Sequence, residues 1–299
     1  MNKHHRTEEE TLRQVVYSIP GMEHTQVRKD ITYKTIDAMD LHMDVYYPAR
    51  YQRHTPLPAV IFIHGDGPTS RLQDAKEDGQ YTSWGKLVAA SGLIAIIANH
   101  RSTEGLTNVV GAANDVDDLI SYVREQSHTL NINPDELGIW TCSAGAYIAL
   151  RSALYEAAPF VRAIACYYGF TELKAYYAGL YNTPESAEEE EEITELLPDE
   201  RISGPTFSDD DFDEFSATEM LLHRTSEPAP IFIARAGLDY PELNEALDRF
   251  IAEAIKQNTM LTVMNHPSGQ HGFDVEDRDV RSEEIIAATL DFLQTHLLQ

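Results

Sequence analysis

Three residues whose types can together cleave an acyl bond follow apolar runs of this chain: Ser143, Asp239 and His271. A serine hydroxyl becomes a strong nucleophile only when a base takes its proton, and histidine titrates near neutral pH. A carboxylate can hold the imidazole in the tautomer that accepts this proton, and it stabilises the imidazolium that forms. Because functional groups of open α/β sheets gather at the carboxyl ends of the strands, the three residues are candidates for one site. Their chemistry would be nucleophilic attack on a carbonyl carbon.

Ser143 lies where an apolar run rich in β-forming residues stops and an alanine-rich helical pattern begins at once. A strand that becomes a helix without a loop turns sharply, and the residue at the apex is held in a strained backbone conformation. Gly145 provides the position without a side chain where helix and strand crowd together. Thr141 stands where the usual G-x-S-x-G motif has its first glycine. The pattern predicts a nucleophile at Ser143, and the plainer interpretation is a serine in an ordinary strand-to-helix turn.

Cys142 is an alternative nucleophile at the same turn. A cysteine one residue earlier would move the two positions that must be small to Trp140 and Ala144. Trp140 is too large for such a position. The register with Ser143 at the apex is therefore favoured.

With 299 residues the chain can bury a large core, and one domain with an insertion accounts for this length. Its net charge of −26 argues against nucleic acids and anionic membrane surfaces as partners. No run approaches the ~20 apolar residues that a membrane span needs, and the first residues lack the apolar region of a signal peptide. Only two cysteines are present, so a disulfide scaffold is not expected. The sequence predicts a cytoplasmic protein.

Apolar strand patterns alternate with amphipathic helical patterns through most of the chain. Some strands are fully apolar runs, such as 59–63, as expected where both faces of a strand are covered. Helical spacing of apolar residues is clear at 115–125. This alternation predicts an α/β fold with a mostly parallel, doubly wound sheet. We expect an N-terminal arm at 1–26 and one domain at 27–299.

Residues 171–228 separate the sixth predicted strand from the seventh, where one helix would suffice. Within them, the segment from Glu185 to Glu214 contains fourteen acidic residues and one base, Arg201, which gives half of the net charge. An insertion of this size after the sixth strand predicts a cap or lid over the active site. A solvated and partly disordered loop is the alternative.

Five short motifs occur between about Ile31 and the C-terminus, each of them weak alone. They are Leu41-x-Met43-Asp44-Val45-Tyr46-x-Pro48, His64-Gly65, Cys142-Ser143-Ala144-Gly145, Gly237-Leu238-Asp239 and Gln270-His271-Gly272-Phe273. In this order they resemble the α/β-hydrolase family, of the dienelactone-hydrolase-like or small carboxylesterase type. The resemblance implies an α/β-hydrolase fold with Ser143 as nucleophile, His271 as general base and Asp239 as the partner that orients it.

The resemblance also implies an oxyanion hole, in which two backbone N–H groups face the oxygen that gains charge. It offers the amide of Ala144, directly after Ser143, and one amide of Gly65 or Asp66. Here Asp66 occupies the middle glycine of the HGGG pattern of esterases. A carboxylate that pointed into the hole would oppose the developing charge, so we expect its side chain to turn away. Whether Gly65 or Asp66 gives the second donor is left open by the sequence.

Other polar residues near the same strand ends are assigned structural roles. His266 is adjacent to the end of the last strand and is expected to point into packing. Glu242 and Asp248 lie within the helical pattern that follows Asp239, where Glu242 suits the helix N-terminus. The resemblance makes His64 a support of the oxyanion loop.

We therefore expect a serine hydrolase that cleaves a small-molecule carboxylic ester, or a related acyl bond, through an acyl-enzyme. No metal or organic cofactor is needed. Asp209, Asp211 and Asp213 have the spacing of a calcium loop, but Glu214 stands where an EF-hand needs glycine. The alternatives are a peptidase of the prolyl-oligopeptidase kind, for which no propeller domain is present, and a catalytically silent binding protein of the same fold. The sequence leaves the identity of the ester and the formation of a homo-oligomer open.

Overall fold

The computed structural model of the protein describes residues 13–51, 55–154, 158–181 and 204–298. Strands and helices alternate along these ranges. The strands are β1 Gln26–Ile36, β2 Met39–Tyr47, β3 Leu57–Ile63, β4 Ile94–Ala98, β5 Ile132–Cys142, β6 Val161–Tyr167, β7 Ile231–Ala236 and β8 Leu261–His266.

The longer helices connect these strands, and several single helical turns lie in the loops. The helices are α1 Gly79–Ala90, α2 Val109–Glu125, α3 Gly145–Leu154, α4 Leu173–Tyr181, α5 Asp209–Glu214, α6 Ala217–His223, α7 Pro241–Lys256 and α8 Val280–Leu297. None of the helices in the described ranges has the length and apolar character to cross a membrane.

Eight strands of the described chain form one sheet in the order β1-β2-β4-β3-β5-β6-β7-β8. β2 pairs antiparallel with β1 and with β4, and the other neighbouring pairs are parallel. The predicted α/β fold with a mostly parallel sheet is therefore confirmed. Because β5, β7 and β8 run in the same direction, the segments that carry Ser143, Asp239 and His271 leave the sheet at one edge.

Alternate residues of the central strands pack against helices on opposite faces of the sheet. In β3, Ile61 and Ile63 contribute to a core that includes α2, α3 and α7, whereas Val60 and Phe62 contribute to a core with α1 and α8. Every residue of β4 is buried. Coverage of both faces explains why these strands are continuous apolar runs, and this burial is the main stabilising contribution to the fold.

The described parts of the insertion after β6 pack onto the domain. Phe215 and Leu221 are buried in the core that contains α3. The aspartates near 209 begin helix α5, where the Ser208 hydroxyl accepts the amide N–H of Asp211 and the Asp211 carboxylate accepts the amide N–H of Ser208. The acidic run at 188–192 lies outside the described residues, so the cap stays a prediction.

Residues 13–25, the described part of the predicted N-terminal arm, lie against the domain. The Val15 amide donates to Ser83 Oγ at 2.9 Å, and the Val16 amide donates to the carbonyl oxygen of Asp274 at 2.8 Å. The Val15 side chain is buried with α1 and α8. This segment therefore connects α1 with the loop that follows β8, while residues 1–12 lie outside the described ranges.

Candidate active site

The turn between β5 and α3 holds Ser143 in a left-handed backbone conformation, with φ of +52°. Few residues other than glycine adopt this conformation, because it costs about 1–3 kcal/mol. Three backbone hydrogen bonds fix it. The Ser143 amide donates to the Tyr167 carbonyl at 3.1 Å, and the Ser143 carbonyl accepts from Ala146 at 3.1 Å and from Phe170 at 3.0 Å. The strained apex predicted from the sequence is present at Ser143.

Ser143, His271 and Asp239 form one hydrogen-bonded chain. Ser143 Oγ lies 2.9 Å from His271 Nε2. His271 Nδ1 lies 2.9 and 3.0 Å from the two carboxylate oxygens of Asp239. The Asp239 side chain is fully buried, whereas the His271 side chain is 30% exposed. The imidazole is thus held by a desolvated carboxylate while part of its ring stays exposed to solvent.

The loops that carry Asp239 and His271 are joined through their backbones. The Gly237 amide donates to the His266 carbonyl at 2.8 Å, and the Leu238 amide donates to the Gly269 carbonyl at 2.9 Å. Besides His271, the Asp239 carboxylate accepts from the adjacent amide of Tyr240, at 2.8 Å, and from no amide within helix α7 that the structure describes. Its geometry therefore serves the histidine rather than the helix.

Cys142 points away from this chain and into the core. Its side chain is 2% exposed, and its sulfur lies 3.5 Å from the Tyr81 hydroxyl. Burial raises the pKa of Cys142 to about 12. A thiol of this kind is protonated at neutral pH and is a poor nucleophile. Of the two neighbouring residues, Ser143 has the left-handed backbone conformation and Cys142 is buried in the core.

The loop after β3 passes directly beside Ser143. A side chain on Gly65 would place its Cβ 3.1 Å from the Cβ of Ser143. The Gly65 amide donates to the Tyr81 hydroxyl at 3.2 Å. The amides of Asp66 and Ala144, in contrast, donate no hydrogen bond to any residue that the structure describes. Of the two candidates for the second oxyanion donor, Asp66 has the free amide.

The Asp66 carboxylate is turned toward the loop after β4, as expected. One oxygen accepts the Thr103 amide at 3.1 Å, and the other accepts the Thr103 hydroxyl in a short hydrogen bond. Longer contacts of 3.4 Å come from the hydroxyls of Ser102 and of Tyr176 in α4. These donors hold the negative charge of Asp66 against the loop after β4.

His64 supports this loop in a neutral form. Its Nε2 accepts the His100 amide at 3.2 Å, so Nδ1 carries the proton and donates to the Gly65 carbonyl at 2.7 Å. Burial lowers the pKa of His64 well below its usual range. Its ring stacks on that of His100 with centroids 3.6 Å apart. His64 thus contacts the oxyanion loop at the Gly65 carbonyl, as a support of that loop would.

The rival candidates have other partners. His266 is 1% exposed and its Nε2 lies 3.1 Å from Ser282 and 3.2 Å from Asp279. Asp248 pairs with Arg235, at 2.7 Å. Neither residue belongs to the Ser143 chain of contacts.

Two residues that border the site were missed by the sequence analysis, Tyr168 and Asp274. The ring centroids of Tyr168 and His271 lie 4.7 Å apart, and the Tyr168 hydroxyl donates to Asp274 at 2.6 Å. The sequence carried one indication of this contact, because Asp274 directly follows the Gln270-His271-Gly272-Phe273 motif.

One acidic cluster away from this site has the spacing of cation ligands. The carboxylates of Asp30, Asp44 and Glu77 lie close enough together to share an ion. The Lys76 ammonium stands among them at 2.8, 3.0 and 2.6 Å, respectively. Although burial alone would lower the pKa of Lys76, the three carboxylates raise it. Lys76 supplies the positive charge that the cluster needs, and the arrangement is an ion-pair network.

Sheet order, the turn at Ser143 and the contacts of His271 together define an α/β-hydrolase. The family model of BD-FAE matches residues 43–207, which is more than half of the chain. The chain therefore belongs to the BD-FAE family. The wider resemblance to α/β-hydrolases of the esterase type is confirmed, whereas the narrower resemblance to dienelactone hydrolases stays a prediction.

Solved structures of esterases share the fold. The native Est2 esterase from the planctomycete Thermogutta terrifontis has a TM-score of 0.66 at 18% identity, over 92% of this chain and 94% of that chain. An inhibited esterase B from Lactobacillus rhamnosis has a TM-score of 0.66 at 16% identity, over 93% and 90%. A curated relative, the non-reducing polyketide synthase atr1 from Stereocaulon alpinum, is 24% identical over 149 residues. These residues are 46% of this chain and only 6% of that much longer protein.

Proposed function

We propose that this protein is a serine hydrolase that cleaves a carboxylic ester through an acyl-enzyme. The observation that carries the proposal is the contact of 2.9 Å between Ser143 Oγ and His271 Nε2, with Asp239 on the other ring nitrogen. Serine at a strained strand-to-helix apex, next to a base that is itself oriented, is the arrangement that activates a hydroxyl.

The reaction follows from these positions. His271 accepts the hydroxyl proton while Ser143 Oγ attacks the ester carbonyl carbon, and Asp239 stabilises the imidazolium. The carbonyl oxygen gains negative charge and is bound by the amides of Ala144 and Asp66. The imidazolium then gives its proton to the departing alcohol oxygen, which leaves the acyl group on Ser143. A water molecule, deprotonated by His271, attacks this acyl group and releases the acid.

The substrate that we propose is an ester with a short, uncharged acyl group. Support comes from similar structures, in which Est2 of Thermogutta terrifontis is bound to propionate, bound to butyrate and phosphonylated by sarin. The net charge of −26 disfavours anionic substrates, since like charges repel as the substrate approaches.

A panel of p-nitrophenyl esters of increasing acyl length tests the proposal, together with a fluorophosphonate probe and intact-mass analysis. We expect turnover of the short esters and one probe adduct. Ser143→Ala should lose about 10⁴-fold or more in kcat and all labelling. Cys142→Ala, the matched control in the adjacent position, should stay active and be labelled. No turnover and no labelling in the wild type would leave the silent binding protein as the better interpretation, and labelling that persists in Ser143→Ala would contradict the assigned nucleophile.

A further inference from the structure

A buried carboxylate that the proposed mechanism does not use lies in the loop just after His271. Asp274 is fully buried. One of its oxygens accepts from the Tyr168 hydroxyl at 2.6 Å, and the other accepts from Trp84 Nε1 at 2.7 Å and from Gln80 Nε2 at 3.0 Å. Trp84 and Gln80 come from α1, and Tyr168 directly follows β6. Two separate parts of the fold thus donate to one acidic group on a third.

These partners fit the ionised form of Asp274. Trp84 and Gln80 can only donate through the nitrogens concerned. Gln80 Nε2 also donates to the Tyr168 hydroxyl at 2.8 Å, so that the proton of this hydroxyl is directed to Asp274. Burial raises the pKa of Asp274, and the three donors oppose this change. No lysine, arginine or histidine in the described ranges forms an ion pair with it.

Tyr168 connects this negative charge with His271. Its ring centroid lies 4.7 Å from that of His271, with the planes inclined by 59°. The Tyr168 backbone has a φ of +34°, and its amide donates to the Ala234 carbonyl at 2.8 Å. A tyrosine in such a conformation is strained, and it persists only where its surroundings determine its position. Hydrogen bonds of the Tyr168 amide and of the Tyr168 hydroxyl therefore hold the ring against the imidazole of His271.

We propose that Tyr168 and Asp274 are positioning residues that stabilise the imidazolium form of His271. The proposal rests on the proposed function, in which His271 becomes charged as it takes the proton of Ser143. The face of an aromatic ring attracts a cation, more strongly where water is excluded. A phenol that donates its proton to a carboxylate has a more electron-rich ring, so Asp274 strengthens this attraction through Tyr168. Neither residue contacts the reacting atoms.

Few other groups can titrate beside this assembly. His271 faces Asp239 on Nδ1, Ser143 on Nε2 and the ring of Tyr240 at 5.5 Å. The described titratable groups next to Asp274 and Tyr168 are Tyr167, Tyr81 and Cys142. Burial raises the pKa of each of these three groups, so all of them are uncharged at neutral pH. Asp277 is a further charged group on the loop of His271, and its carboxylate accepts the Gln270 amide at 3.0 Å. Neither Tyr168→Phe nor Tyr167→Phe changes Asp277, so a difference in the titration of His271 between these two variants is assigned to Tyr168 and Asp274.

The test is Tyr168→Phe, which keeps the ring and removes the hydrogen bond to Asp274. Loss of imidazolium stabilisation makes the charged form of His271 less favourable, so the acid limb of kcat/KM should move to lower pH by roughly half a unit. The plateau value of kcat should fall about three- to tenfold, with KM unchanged. Tyr167→Phe is the matched control, because its hydroxyl bonds to Thr289 at 2.6 Å and does not contact His271. Tyr167→Phe should lower the free energy of unfolding, whereas the acid limb of its kcat/KM should stay at the wild-type pH.

A second measurement does not depend on activity: NMR titration of the His271 ring in the wild type, Tyr168→Phe and Asp274→Asn. Both variants should titrate at lower pH than the wild type, and the Tyr168→Phe result decides if Asp274→Asn does not fold. An unchanged His271 titration in Tyr168→Phe, or an equal shift in Tyr167→Phe, overturns the proposal. If the wild type hydrolyses no ester but His271 titrates at lower pH in Tyr168→Phe than in the wild type, the proposed function is refuted and this inference is retained.

Discussion

The α-carbon of Gly145 lies against the carbonyl oxygen of His64. A Cβ at position 145 would approach this oxygen to 2.1 Å and the carbonyl carbon to 2.9 Å. The same carbonyl oxygen lies 3.1 Å from His100 Nε2, so it is fixed from the other side as well. The first turn of α3 can therefore approach the end of β3 only without a side chain. This contact sets the distance between the serine turn and the oxyanion loop.

Gly145→Ala should consequently damage both stability and activity. The helix must move away from β3, which should lower the free energy of unfolding by about 1–3 kcal/mol. A displacement of the turn by about 1 Å should lower kcat by roughly 10²-fold. Thermal unfolding and turnover of the same sample measure both effects. Gly179→Ala in α4 is the control, because a Cβ there meets nothing within 4 Å. A Gly145→Ala variant with wild-type turnover would show that the contact does not position the turn.

Asp239→Asn should preserve the fold and remove most of the activity. The shape of the side chain is kept, and its described hydrogen-bond partners are His271 and the Tyr240 amide rather than an amide within α7. An amide cannot hold His271 in the tautomer that accepts the serine proton, so kcat should drop about 10³–10⁴-fold near neutral pH. Melting temperature and turnover measured together check this. A folded variant with full activity would remove Asp239 from the catalytic set.

The alternation of strands and helices and the three clustered residues could be predicted because local patterns encode them. β4 is buried at every position and so appears as an unbroken apolar run. The first residue of α2 was predicted wrongly. The helical pattern was clear only from Asp115, whereas the helix begins at Val109. Gly111 lies in the first turn and weakens the helical signal, although Val109 and Ala112 are buried there.

Contacts between distant segments could not be predicted in this way. The choice between Gly65 and Asp66 as oxyanion donor depends on the Tyr81 hydroxyl, which binds the Gly65 amide from helix α1. No local pattern around position 65 indicates this contact. Likewise, the role of Asp274 depends on Gln80 and Tyr168, far from it in sequence, which meet only when the sheet and α1 have assembled.

The stability of the folded protein should depend on pH through the buried carboxylate of Asp115. Its carboxylate is fully buried and bonds to Arg101 at 2.8 Å and to Lys34 at 2.7 Å. Although burial opposes it, these donors hold the pKa of Asp115 below its usual value in the folded state. A depressed carboxyl pKa adds stability above the unfolded pKa of about 3.9, and this stability is lost as pH falls through the folded pKa.

Asp115→Asn should therefore lower the free energy of unfolding by about 3 kcal/mol or more at pH 7, because Arg101 loses its buried partner. The difference from the wild type should shrink as the pH falls below about 4. Denaturant unfolding at a series of pH values measures it. Asp118→Asn is the control, since this side chain is 55% exposed and also pairs with Lys34; it should cost at most about 1 kcal/mol. Equal losses of unfolding free energy in the two variants would show that burial of the Asp115–Arg101 pair does not increase its contribution to stability.

The last prediction concerns the bonds between Thr103 and the Asp66 carboxylate. Thr103 is fully buried, and both its amide and its hydroxyl hold the carboxylate away from the serine turn. Thr103→Val keeps the shape and removes the hydroxyl. A carboxylate that is less firmly held can turn toward the oxyanion, and in a site of low dielectric its charge should lower kcat roughly tenfold.

Asp66→Gly provides the matched background, because it removes the carboxylate and keeps the backbone amide that we propose as oxyanion donor. If the hydroxyl acts by restraining this charge, Thr103→Val should lower kcat in the wild type and have little effect in Asp66→Gly. The four values of kcat for an ester form a double-mutant cycle, which isolates the interaction between the two side chains. A loss of similar size in both backgrounds would mean that Thr103 supports the loop independently of Asp66. Unfolding measurements on the same four proteins separate this effect from the general cost of a lost buried hydrogen bond, about 1–3 kcal/mol.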